Sequence, residues 1–201
     1  TGDLGTRWEL QQIALRMWPS ATALQDVLTA LFVVINENDF SFDDIASVRI
    51  SVGQTPFNMH GGYSTYTAKF EALLSAHYVT TVYLRDRAVP LDQFEPACYD
   101  DPALRKFAAE HVEVVADPSL KGGEAVAEVT TRGGQTLSGR CDYPLGAPEN
   151  PLSQQQIEEK FRIYAGKILS SGQIDDLIGA VNGLEDLRNA GVLFDMLRPA
   201  E

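Results

Sequence analysis

Apolar residues first cluster within residues 20–38, at Leu24, Val27, Leu28, Leu31, Phe32 and Ile35. Gaps of three and four put them on one face of a helix, and the polar run Asn36-Glu37-Asn38-Asp39 ends it. From Ser47 the period changes to two, through Val48, Ile50 and Val52, which predicts a half-buried strand. Residues 54–67 are rich in Gly, Pro, Ser, Thr and Tyr and lack periodicity, so they read as a long loop of the kind that often carries function. A helical period resumes over residues 68–84. Pro90-Leu91-Asp92-Gln93-Phe94 reads as a short helical turn. Asp101-Pro102-Ala103 starts a helix that reaches His111, with Asp as cap and Pro in the first position. Residues 112–115 are β-rich, and residues 124–131 and 136–143 flank Gly133-Gly134 as a hairpin.

The last third is helical. Ser153 stands at an N-cap with Gln156 three residues on, followed by a stripe at Ile157, Phe161, Tyr164, Ile168 and Leu169. Gly172, Gly183 and Gly191 punctuate the rest of the chain. The pattern predicts an α+β fold: a small, mostly antiparallel sheet with helices on one face, plus C-terminal helices.

Composition narrows the partners. A formal charge of -12 disfavours nucleic acid and anionic membrane surfaces, whose phosphates it repels. No stretch approaches the roughly 20 apolar residues that a membrane-spanning helix needs. Two cysteines in 201 residues, Cys98 and Cys141, are expected to be reduced thiols, which suits a cytoplasmic location. His60, His77 and His111 share no ligand spacing, so no metal site is expected. The Gly122-Gly123 and Gly133-Gly134 pairs read as turns, not phosphate cradles. Thr1 is either a boundary left by processing or a nucleophile activated by its own amine.

The segment Asn150-Pro151-Leu152-Ser153, running on through Glu158-Glu159-Lys160-Phe161-Arg162, resembles the C-terminal region of MmgE/PrpD family proteins. Further pieces occur in that family's order. They are Arg16-Met17-Trp18-Pro19, Ile45 to Val52, Ala68-Lys69-Phe70 with His77-Tyr78-Val79, Asp101 to Arg105, Val112 to Pro118, and Tyr143 to Pro151. The resemblance implies dehydration, decarboxylation or epimerisation next to a carboxylate of a small polycarboxylic acid, without a cofactor. It also implies that residues 1–150 form a lid-like α+β domain, while residues 151–201 form helices packing on a helical N-terminal domain or partner subunit. The whole is expected to be a dimer or hetero-oligomer, with a site between the halves.

Such chemistry needs a base, cations for carboxylates and a donor for developing negative charge. Arg16 stands where the family usually has Lys and is read either as a carboxylate clamp or as a surface residue at a helix edge. The dehydratases' His followed two residues later by Gln corresponds to Ala23-Leu24-Gln25, so the His is absent and Gln25 remains as a substrate-binding candidate. His77 and Tyr78 are the catalytic candidates, His77 as proton shuttle or satisfied helix residue, Tyr78 as phenol donor. Lys69 belongs to the family signature and binds substrate or is simply solvated. His60, beside Gly61-Gly62 in the long loop, is read as a lid residue or polar filler. A non-catalytic binding or scaffolding descendant of the family is the competing reading. The missing His and the Arg at position 16 favour it slightly.

Overall fold

A computed structural model describes residues 2–3, 5–62 and 64–198. Thr1, and with it the nucleophile reading, lies outside the described residues, as does Tyr63. Two compact units emerge, one ending at Pro151 and the other starting at Leu152.

In the first unit, α1 (Gln25–Glu37) buries Val27, Leu28, Leu31 and Val34. It leads through a short 3-10 turn into β1 (Ile45–Val52). A register shift between Ile45 and Ser47 lets Ile45 face inward together with Val48, Ile50 and Val52, although its spacing from them is odd. Of the expected loop over residues 54–67, the first part is helical, the single turn α2 (Gln54–Pro56) widening into a π-turn over Phe57–Gly61, while residues 64–67 carry no helix or strand. The helix expected over residues 68–84 is two helices, α3 (Lys69–Leu74) and α4 (Ala76–Asp86). Ser75 between them adopts extended backbone, and its hydroxyl accepts from the Tyr78 amide, so the break is a cap. The turn α5 (Pro96–Tyr99) precedes α6 (Pro102–His111), which Asp101 caps through the Ala103 amide.

Four strands form one sheet in the order β2-β1-β3-β4, where β2 is Val112–Ala116, β3 Ala125–Thr131 and β4 Thr136–Cys141. Pairings β1–β3 and β3–β4 are antiparallel, while β2 lies parallel to β1 with Val48 opposite Val112. The fold is therefore α+β with a mixed, mostly antiparallel sheet. Helix α1 packs on β3 and β4, and α4 and α6 pack on β2. The opposite face is polar, with Arg49 paired to Glu113 at 2.7 Å and opposite Glu128 in register.

The second unit contains α7 (Gln154–Ala165), α8 (Ser171–Asn182) and α9 (Val192–Met196). Ser153 with Gln156, and Ser170 with Gln173, form reciprocal capping boxes at the starts of α7 and α8. Its small core is Leu169, Ile174 and Leu177, with Phe161, Ala165, Ile178, Leu193 and Met196 against it. A groove of about 670 Å³ between the helices stays open, lined by Ile157, Phe161, Leu177, Ile178, Val181, Leu193 and Leu197.

Candidate functional site

The turn before α1 is built around one amide. Gln25 accepts the Trp18 N–H at 3.2 Å and donates to the Trp18 carbonyl at 3.1 Å and the Ser20 hydroxyl at 3.0 Å. The side chain is buried and occupied by these bonds, and Trp18 packs edge-on against Tyr83 of α4 at 5.4 Å. This arrangement holds Arg16 and the segment Ala21-Thr22-Ala23 beside a cavity of about 610 Å³, a size suited to a small-molecule ligand. Ala23, at the position where the resemblance has a His, lines it.

The far wall comes from the π-turn. A Cβ on Gly61 would sit 2.5 Å from the Phe57 ring, so a larger residue there would have to push that ring aside. The turn carries His60 into the cavity wall, buried to 4 % exposure. His60 Nδ1 lies 2.9 Å from the Leu74 carbonyl oxygen, so this nitrogen is the donor and Nε2 bears the lone pair. Nε2 is buried and has no hydrogen-bond partner. Burial also lowers the imidazole pKa, keeping the ring neutral at pH 7.

Asp26, the second residue of α1, lines the same cavity at 1 % exposure. One carboxyl oxygen accepts the Val27 N–H at 2.7 Å, while Oδ2 has no partner. Burial pushes this carboxyl up to about 7 from its ordinary 3.8. A raised folded-state pKa means that the proton is held more tightly in the fold than in the unfolded chain. Its contribution to stability is full below pH ~4 and is lost as pH rises through about 7. Met59, Phe70, Leu73, Leu74 and Pro144 give the cavity an apolar rim, and the Gly122-Gly123 backbone closes another side. Gly123 needs its glycine, with φ of 90°.

The other sequence candidates stand apart from this cavity. Lys69 pairs with Glu95 on the surface. The Tyr78 hydroxyl donates to the Gln93 carbonyl, and its ring lies between Tyr66 at 4.9 Å and Phe94 at 6.1 Å. Burial raises its pKa further above the ordinary phenol value. His77 lines a different hollow at the β2 edge of the sheet, with Ser64, Arg49, Glu113 and His111. Its Nδ1 is buried without a partner, and burial lowers its pKa. The structure thus brings Arg16 and His60 together, adds Asp26, and puts Gln25, Lys69, His77 and Tyr78 elsewhere. Asp26 escaped the sequence reading because it sits next to Val27 in an apolar run, and only tertiary burial singles it out. Among the described residues no cluster of His, Cys, Asp or Glu is arranged to hold a metal, and no helix is long and apolar enough to cross a membrane.

Comparison with known proteins adds the lineage. The model of the MmgE/PrpD C-terminal domain matches residues 18–185. Human cis-aconitate decarboxylase is 33% identical over 134 residues, covering 65% of this chain and 28% of the human protein. The mouse protein of the same name is 30% identical over the same shares. The cis-aconitate decarboxylase-like protein oryM of Aspergillus oryzae is 23% identical across 98% of this chain and 43% of its own length. The chain therefore spans less than half the length of the curated relatives it matches. With the fold and the family model agreeing, the chain belongs to the MmgE/PrpD family and corresponds to its C-terminal domain.

Proposed function

We propose that this chain supplies the carboxylate-recognising part of an active site that performs lyase or isomerase chemistry on a small polycarboxylic acid, completed by an N-terminal helical part. The observation that carries the reading is the convergence of Arg16 and His60 on one ligand-sized cavity. Arg16 brings a guanidinium, which holds carboxylates through two parallel bonds. His60 brings a neutral ring with an unused lone pair, suited to accept a proton or orient a hydroxyl. The names of the relatives make decarboxylation of cis-aconitate the first reaction to try. Dehydration and epimerisation share the same requirement for stabilising charge next to a carboxylate. The test is to incubate the complete protein with cis-aconitate and monitor substrate and carbon dioxide by NMR. Turnover that falls at least tenfold in His60→Gln supports the assignment, while full turnover in that variant removes His60 from the site.

A second reading, a binding module that kept the fold and lost the chemistry, has one observation in its favour: Ala23 lines the cavity where the resemblance has a His. Tight binding of polycarboxylates with no conversion of any would establish it.

The groove of the second unit fits the same scheme as a seat for the helical part. Ile157, Val181 and Leu197 at its edge are each more than 40 % exposed, an apolar surface that favours burial against a partner. Ile157→Glu combined with Val181→Glu is expected to leave the chain folded, because both sites are exposed, yet to weaken association with the N-terminal part at least tenfold in a co-purification or calorimetric titration. Unchanged association would remove the groove from the interface.

A further inference from the structure

We infer that Asp26 is a ligand-binding group of the cavity, its neutral carboxyl donating an O–H hydrogen bond from Oδ2 to a carboxylate of the bound acid, so that the ligand enters together with one proton held at Asp26. The inference rests on the reading of the cavity as a polycarboxylate site.

Geometry carries it. The carboxyl is fixed on one side only: Oδ1 takes the Val27 amide proton at 2.7 Å, and Oδ2 is left without a partner inside a cavity wall. A buried carboxylate oxygen with nothing to accept from is costly. Protonation is one resolution, and burial does move the group in that direction, to about 7. A protonated Oδ2 is then a donor in search of an acceptor. Among the described residues the cavity wall carries one cation, Arg16, for a ligand with several negative charges, so a second carboxylate needs a neutral donor and not another anion. An O–H···O⁻ bond of this kind is charge-assisted and among the shorter, stronger ones.

The groups around Asp26 agree with this assignment. Arg16 and His60 share the cavity with it, and His60 is neutral, with Nε2 buried and without a partner. From β4 comes Cys141, a thiol that burial pushes up to about 12 and that an ionised Asp26 would raise further, so it stays neutral. From α4, packed along α1, come His77, Tyr78 and Tyr83, all neutral at pH 7, with Arg85 and Asp86 paired to each other. The charged residue of β3, Glu128, sits opposite Arg49 in register, on the strand face away from the buried Ala127 and Val129.

The sign of the pH effect is set by the same proton. Binding favours protonated Asp26, so affinity is level below the point where the free group ionises and falls by up to tenfold per pH unit above it. His60 does not contribute there, because its lowered pKa leaves it neutral throughout that range.

The test is calorimetric titration of the complete protein with tricarballylate between pH 7 and 9, where all carboxyls of the probe are ionised. Wild-type affinity should fall about fiftyfold across that range, since half of Asp26 is already ionised at pH 7. Comparison of buffers with different ionisation enthalpies at pH 8 should show uptake of nearly one proton per ligand. Asp26→Asn keeps a donor of the same shape but cannot titrate, so its affinity should become independent of pH and its proton uptake should vanish. Asp26→Ser, also a non-titrating donor, repeats the comparison if the Asn variant does not fold. Zero proton uptake in the wild type overturns the inference without reference to any variant. A pH slope that persists in the non-titrating variants overturns it while leaving the polycarboxylate reading intact. Failure of the wild type to bind tricarballylate at pH 7 overturns that reading, and the inference with it.

Discussion

Gly139→Ala should lower the stability of the first unit by about 3 kcal/mol, the upper part of the range for overpacked cores. A Cβ at Gly139 would lie 2.3 Å from the Ala30 carbonyl oxygen, 2.8 Å from Val34 Cγ2 and 2.9 Å from the Val34 amide nitrogen. Two of these three are backbone atoms of α1, so no rotamer change relieves the clash and the whole helix must move off β4. Helix α1 is not free to move, because the Thr29 hydroxyl receives the Leu145 N–H at 2.9 Å and its own first turn is tied to Trp18 through Gln25. At this size the loss corresponds to a fall of roughly 6–12 °C in Tm, measurable by circular dichroism. Gly133→Ala in the exposed hairpin is the control, since its Cβ would meet only the Thr131 hydroxyl at 3.7 Å. Equal Tm values for the two variants would show that α1 and β4 are not in the close contact described.

Arg16→Met should cost about 1.5–3 kcal/mol in affinity for a polycarboxylate, the usual worth of a hydrogen bond to a charged group. That is a loss of roughly 10–150-fold in Kd, readable by titrating the complete protein with tricarballylate. The fold should be untouched. Arg16 is exposed, and substitutions at exposed positions usually cost little stability. Arg16→Lys restores charge without the planar fork and should recover part of the loss. Unchanged affinity in both variants would assign Arg16 to the turn and leave ligand recognition to other walls of the cavity.

The elements that obey local rules were legible in the chain. The stripe from Leu24 to Ile35 gave α1, alternation through Val48 and Val52 gave β1, Gly133-Gly134 gave the hairpin, and Ser153 with Gln156 gave the start of α7. The features that escaped depend on distance or on unusual backbone. A parallel pairing of β1 with β2 leaves no local mark, because strand direction is settled by the path of the connection between them. The apolar periodicity of residues 68–84 continues across Ser75, which hides the break that its own hydroxyl caps. The π-turn at Phe57–Gly61 has no compositional signature beyond glycine, so His60 looked like a loop residue although its ring is as buried as many core side chains. The site was half legible for the same reason. Arg16 and His60 stood out by charge and neighbours, whereas Asp26 became visible only once β4 and the cavity had removed it from water.

The parallel seating of β2 has a consequence for the order of assembly. In the hairpin, Thr130 meets Thr136 across 6 residues, whereas Arg49 meets Glu113 across 64. Closing the longer span costs more chain entropy, and the connecting segment must collapse into its helices before that cost is offset. The span from β1 to β3 is longer still, because Arg49 lies opposite Glu128 and the chain between them includes β2, so both neighbours of β1 must come from far along the chain. Until those neighbours arrive, β1 presents bare rows of amides and carbonyls to the surroundings, the feature that invites pairing with the wrong chain. A nascent chain stalled at that stage is most exposed to misassembly along β1, and the helices between β1 and β2 act as the gate that decides how long the exposure lasts.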